Sequence, residues 1–166
     1  MKRILLFMIM IAALTILAGC GEGISSSPGF SADDLFLSID GKQYGLDVNI
    51  ETVIAGLGDD YEYSQAISCD YDGLDKTYIY DLAEFYTYPL PEGDVVSEIY
   101  TKDLSVSTSK GIVVGASKEE VLAGYGDRCE DTGYQLVYKL PDSRESLCFD
   151  LENGVVTAFY ITTRPS

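Results

Sequence analysis

One phrase of seven residues occurs twice, and it constrains this chain more than any other feature. Val53-Ile54-Ala55-Gly56-Leu57-Gly58-Asp59 returns as Val121-Leu122-Ala123-Gly124-Tyr125-Gly126-Asp127, with five of the seven residues identical. Self-similarity of this kind signals a fold built from a repeated supersecondary unit. Asn49 and Ser117 are equivalent N-cap candidates, and Glu120 three residues after Ser117 completes a capping box. Val53 and Leu57, like Val121 and Tyr125, stand four apart and share a helix face, while Gly58 and Gly126 suit a left-handed C-terminal cap. Each copy therefore predicts one short helix.

Three strand-like runs follow each helix in the same order, rich in Tyr, Val, Phe and Thr. They are Lys76 to Asp81, Phe85 to Leu90 and Asp94 to Thr101 in the first copy, and Gln135 to Leu140, Ser146 to Leu151 and Val155 to Thr162 in the second. Asn153-Gly154 marks a tight hairpin ahead of the last strand. Asp40-Gly41 marks another between Leu35 to Ile39 and Lys42 to Leu46, and Ser107 to Val114 reads as an extended lead-in to the second helix. The expected fold is α+β: two tandem repeats, at 34–104 and 105–166, each a short helix packed on an antiparallel sheet of about four strands. A single unit of roughly sixty residues is marginal, and two side by side would share a larger core, so one body is expected.

The N-terminus carries a different kind of signal. Met1-Lys2-Arg3 is a basic start, Ile4 to Leu17 is an apolar run broken only by Thr15, and Leu17-Ala18-Gly19-Cys20 ends it. The run is shorter than the twenty or so residues of a permanent membrane span. It resembles the signal peptide and lipobox of bacterial lipoprotein precursors. The resemblance implies cleavage of residues 1–19 between Gly19 and Cys20, a diacylglyceryl group on Cys20, and a location on the extracytoplasmic face of the membrane. Residues 20–33, with Ser25-Ser26-Ser27-Pro28-Gly29 at their centre, read as a flexible tether. Losing Lys2 and Arg3 moves the net charge from -16 to -18. So acidic a body is repelled by anionic headgroups, which leaves the lipid anchor as the expected membrane contact.

From about Phe36 to Thr162 the chain resembles the SmpA/BamE-type lipoprotein fold and the tandem-repeat beta-lactamase inhibitory protein. The residues that carry the likeness are Gly115-x-x-Lys118-Glu119-Glu120-Val121 with Tyr125-Gly126, then Leu147-x-Phe149 and Gly154-x-Val156. Together with Ser68-Cys69 and Gly73-Leu74-Asp75-Lys76, they also resemble lipoproteins of Gram-positive, clostridia-like bacteria. The resemblance implies a non-enzymatic envelope module that binds another protein or serves as a scaffold through its sheet and loops. It carries no particular partner across.

Composition narrows the chemistry. The chain has no His, which removes Ser-His and Cys-His pairs and His-ligated zinc. Eleven Lys and Arg against 27 Asp and Glu exclude nucleic acid as a partner. No spacing singles out a glycosidase-like pair among the carboxylates, so no enzyme activity and no cofactor beyond the lipid are expected. Cys69, Cys129 and Cys148 permit at most one disulfide, and their acidic neighbours disfavour a reactive thiol. Asp59-Asp60-x-Glu62 and Asp70-x-Asp72-x-x-Asp75 are either solvated loops or calcium ligands, the second without EF-hand spacing. The 13 tyrosines offer an alternative function, a ligand-binding module for envelope glycan or a cation. Tyr78 with Tyr80 and Tyr86 with Tyr88 would each present two phenols on one strand face, whether as sheet packing or as a binding surface.

Overall fold

The computed structural model describes residues 29–163. The export signal, Gly19, Cys20 and the tether up to residue 28 lie outside the described residues. The final residues of the segment read as tether belong to the body. Phe30 rests against the rings of Tyr125 and Tyr138, and Ser31 caps a 3-10 turn over Ala32–Asp34.

The chain continues as β1 (Phe36–Ile39), β2 (Lys42–Gly45), α1 (Ile50–Leu57), β3 (Glu62–Ile67), β4 (Leu74–Ile79), β5 (Glu84–Leu90) and β6 (Gly93–Thr101). Then come β7 (Ser107–Thr108), α2 (Lys118–Tyr125), β8 (Glu130–Asp131), β9 (Gln135–Lys139), β10 (Ser146–Glu152) and β11 (Val155–Thr162). The fold is α+β, with two helices and two antiparallel sheets.

The strands do not divide into two sheets of about four. One continuous eight-stranded sheet runs β3-β4-β5-β6-β11-β10-β9-β8, and a second of three strands runs β2-β1-β7. The middle of the large sheet is the antiparallel pair β6 and β11, joined through Ile99↔Ile161 and Tyr100↔Tyr160. That pairing satisfies backbone groups which two separate sheets would have exposed as edges. The lead-in expected over Ser107 to Val114 is a strand only at Ser107–Thr108, where it joins β1 in the small sheet. β3 is a strand within the stretch expected as a loop between the first helix and Lys76.

Local chemistry explains most boundaries. Asn49 accepts a hydrogen bond from the Glu51 amide, and Ser117 with Glu120 forms the full capping box. Gly58 (φ 92, ψ -176) and Gly126 (φ 82, ψ -178) end the helices in a region that glycine alone occupies readily, more extended than the left-handed cap expected. Lys42 Nζ donates to the Gly56 carbonyl at 2.9 Å and Lys110 Nζ to that of Gly124 at 3.2 Å, placing a cation at each helix C-terminus. Both two-residue hairpins use consecutive positive φ values, 49 and 73 at Asp40-Gly41 and 53 and 78 at Asn153-Gly154.

One core unites both sheets and both helices. Leu37, Ile39 and Tyr44 come from the small sheet, Ile50, Val53, Val121 and Tyr125 from the helices, and Tyr78, Phe85, Ile99, Phe149, Phe159 and Ile161 from one face of the large sheet. Aromatic rings interlock through it, from Tyr44–Phe85 at 5.9 Å to Tyr125–Phe149 at 5.7 Å.

Candidate binding face

The helices cover one face of the eight-stranded sheet, so alternation along each strand sends every second side chain to the other. Cross-strand register arranges that open face in rows. One row runs Glu84, Tyr100, Tyr160, Cys148, Val137, and the next runs Tyr86, Glu98, Thr162, Ser146, Lys139. Tyr100 and Tyr160 face each other across the central pair with ring centroids 6.0 Å apart.

Hydrogen bonds hold the tall side chains upright. Tyr86 donates to Glu84 Oε2 at 2.6 Å, and Gln135 Nε2 donates to Asp150 Oδ1 at 2.8 Å and to the Tyr160 hydroxyl oxygen at 3.1 Å. Lys102 Nζ lies 5.3 Å from the Tyr100 ring centre, within cation-π range. Between these side chains the smaller Ala158, Ser146, Cys148 and Thr162 are buried. Beyond Tyr100 the face runs into a recess of about 220 Å³ lined in part by Glu84, Lys102 and Asp103.

The electrostatics keep the phenols and the thiol of this face protonated. Burial, and then the bond to Glu84, push the Tyr86 hydroxyl above its ordinary range. Burial does the same to Tyr160, with its neighbour Cys148 adding to the shift. Both are neutral phenols at physiological pH. Burial also pushes the Cys148 thiol up, which withholds the thiolate that a nucleophile needs.

The four tyrosines named from sequence divide between the two faces. Tyr78 pairs with Phe85 and is buried, and Tyr80 packs edge-on to the Phe85 ring, so these two belong to the core side. Tyr86 stands on the open face. Tyr88 keeps the same strand side, but its ring is stacked on Tyr71 at 4.7 Å and its hydroxyl donates to Asp47. A single four-phenol surface is therefore not formed. Sequence reasoning missed Tyr100 and Tyr160 as face residues, although the matched runs Val95 to Tyr100 and Val155 to Tyr160 already held the signal.

Cys69 is exposed, Cys129 half-buried and Cys148 buried, and all three are free. The acidic runs lie at either end of β3, with Asp59, Asp60 and Glu62 at its start and Asp70 and Asp72 beyond its end. Among the described residues no group of three or more carboxylates or thiols is placed to hold a metal ion. Nor does any described helix have the length and apolar character to cross a membrane. No family model, curated protein or solved structure matches the chain.

Proposed function

We propose that this chain is a lipid-anchored envelope lipoprotein that acts as a non-enzymatic protein-binding or scaffold module, built from two tandem copies of one α+β unit. The observation that carries the binding role is the open face, a row of phenols and carboxylates spanning β5, β6, β11 and β10 with Tyr100 and Tyr160 at its centre. Tyrosine on a rigid strand offers a partner a large amphipathic contact at little entropic cost. The lipobox at Cys20 supports the anchor and the extracytoplasmic location.

Paired local contacts support the repeat. Lys42 binds the Gly56 carbonyl as Lys110 binds that of Gly124, and Tyr80 donates to Gly58 as Tyr138 donates to Gly126. A register shift follows Tyr86 in β5 and Asp150 in β10. The bridges Asn49↔Val95 and Ser117↔Val155 are placed alike beside the two last strands.

Crosslinking intact envelopes and recovering the chain tests the reading. A stoichiometric protein partner is expected, and the double variant Tyr100→Ser, Tyr160→Ser should lose it. Retention on cell-wall glycan without a protein partner would replace this reading with a glycan-binding one. A Cys20→Ala precursor that still partitions with membranes would overturn the anchor.

A further inference from the structure

The two edges of the large sheet are finished very differently. At one end β8 is two residues long, Glu130 and Asp131, and both carboxylates are tied to lysines, Lys139 and Lys118. A short charged edge is an ordinary defence against unwanted strand pairing. At the other end β3 has six residues, Glu62–Ile67, paired with β4 on one side only, and all six are exposed. It contains no proline, no lysine and no register shift against β4.

Apolar side chains gather along this same edge. Ile67 is 83% exposed, and Tyr63 and Tyr71 are exposed as well, so three of the six exposed large hydrophobic residues of the described chain lie on β3 or in the turn after it. Carboxylates bracket the strand: Asp59, Asp60 and Glu62 at one end, Asp70 and Asp72 at the other, all exposed and none in an ion pair among the described residues.

We infer that β3 is a strand-addition site for an extended segment of a partner protein, with alternating apolar side chains and basic residues at both ends. An added strand would satisfy the outward backbone groups of β3 and place apolar side chains beside Tyr63 and Ile67. Its terminal cations would face the two acidic brackets. A second copy of this chain fits poorly, because antiparallel pairing of β3 with itself sets Asp59 and Asp60 against Asp70 and Asp72. The inference goes beyond the open-face reading and uses none of its residues, so Tyr100→Ser, Tyr160→Ser should leave it intact.

The probe is a synthetic peptide of alternating valine and threonine flanked by two lysines at each end, with a glutamate-flanked counterpart as control. Amide hydrogen exchange on the full chain should slow at least tenfold across 62–67 with the lysine peptide, and this protection should fade as salt is raised. The glutamate peptide should give none. Consecutive amides of a strand alternate in direction, so of Ser64→Pro and Gln65→Pro one removes an outward donor and leaves the β3–β4 ladder intact. The variant that keeps the wild-type melting temperature should lose the protection. Equal protection by both peptides, none by the lysine peptide, or a β3–β3 dimer in sedimentation would each overturn the inference.

Discussion

At the scale of single residues, Gly56 and Gly124 look interchangeable in the repeated phrase but are not. A Cβ on Gly56 would lie 2.4 Å from the Tyr44 hydroxyl oxygen, whereas one on Gly124 would meet nothing closer than 3.9 Å. Tyr44 is itself buried, and its hydroxyl has no hydrogen-bond partner. Gly124→Ala should therefore stabilise, by up to about 1 kcal/mol, since alanine is the better helix former. Gly56→Ala should destabilise by roughly 1–3 kcal/mol through overpacking. Tyr44→Phe should be neutral or stabilising, because it removes a buried unpaired hydroxyl, and should relieve much of the Gly56→Ala cost. A double-mutant cycle by chemical denaturation checks all three, and purely additive effects would disprove the contact. The identical glycines were legible in the sequence. Their different neighbours arise from side chains that the sequence does not bring near them.

The helices and strands show a similar division. The Ser117 and Glu120 capping box follows from local spacing alone, and the structure forms it, with the Ser117 amide donating to Glu120 Oε2 at 2.7 Å. That bond, and then the Ser117 hydroxyl, hold the Glu120 carboxyl below its usual value. A lowered carboxyl contributes stability that is present above its ordinary pKa and lost as pH falls through the folded value. Ser117→Ala should cost about 1 kcal/mol at neutral pH. The cost should shrink at acid pH once Glu120 is protonated, as urea melts at several pH values would reveal. A constant penalty across that range would mean that the cap acts without the carboxylate. The hairpins at Asp40-Gly41 and Asn153-Gly154 were equally legible, because the positive φ they need restricts the residues that can serve. β3 was not, since Glu62-Tyr63-Ser64-Gln65-Ala66-Ile67 has no buried face to impose an apolar alternation. Its strand geometry is imposed by pairing with β4.

For the whole molecule, buried phenols set the alkaline limit. Burial pushes Tyr80 and Tyr88 from an ordinary 10.0 to about 12, and it raises Tyr78, Tyr86, Tyr138 and Tyr160 as well. Lys76, held by Asp94 at 2.7 Å, is also raised. Groups whose folded pKa is raised contribute stability that is full below the unfolded value and lost as pH rises through the folded one. The protein should keep its stability up to about pH 10 and lose it towards about pH 12. The part of the tyrosinate absorbance that these buried phenols contribute should appear only together with the loss of circular dichroism. Titration of all 13 phenols at ordinary pH in a still-folded chain would show that these rings are not buried.

By itself the sequence determined what depends on neighbours a few residues apart: both helices with their caps, the tight turns, six of the strands of the large sheet, and the absence of imidazole chemistry. Tertiary structure decided what depends on residues far apart in the chain. It joined β6 to β11 into one sheet, moved the lead-in strands into a sheet of their own, and turned Tyr78 and Tyr80 inward while Tyr86, Tyr100 and Tyr160 line the open face. The physical reason is the twofold alternation of a strand, which makes two sets of side chains from one run of residues but does not say which set will be covered. Only the helices and the small sheet, once packed on the large one, make that choice.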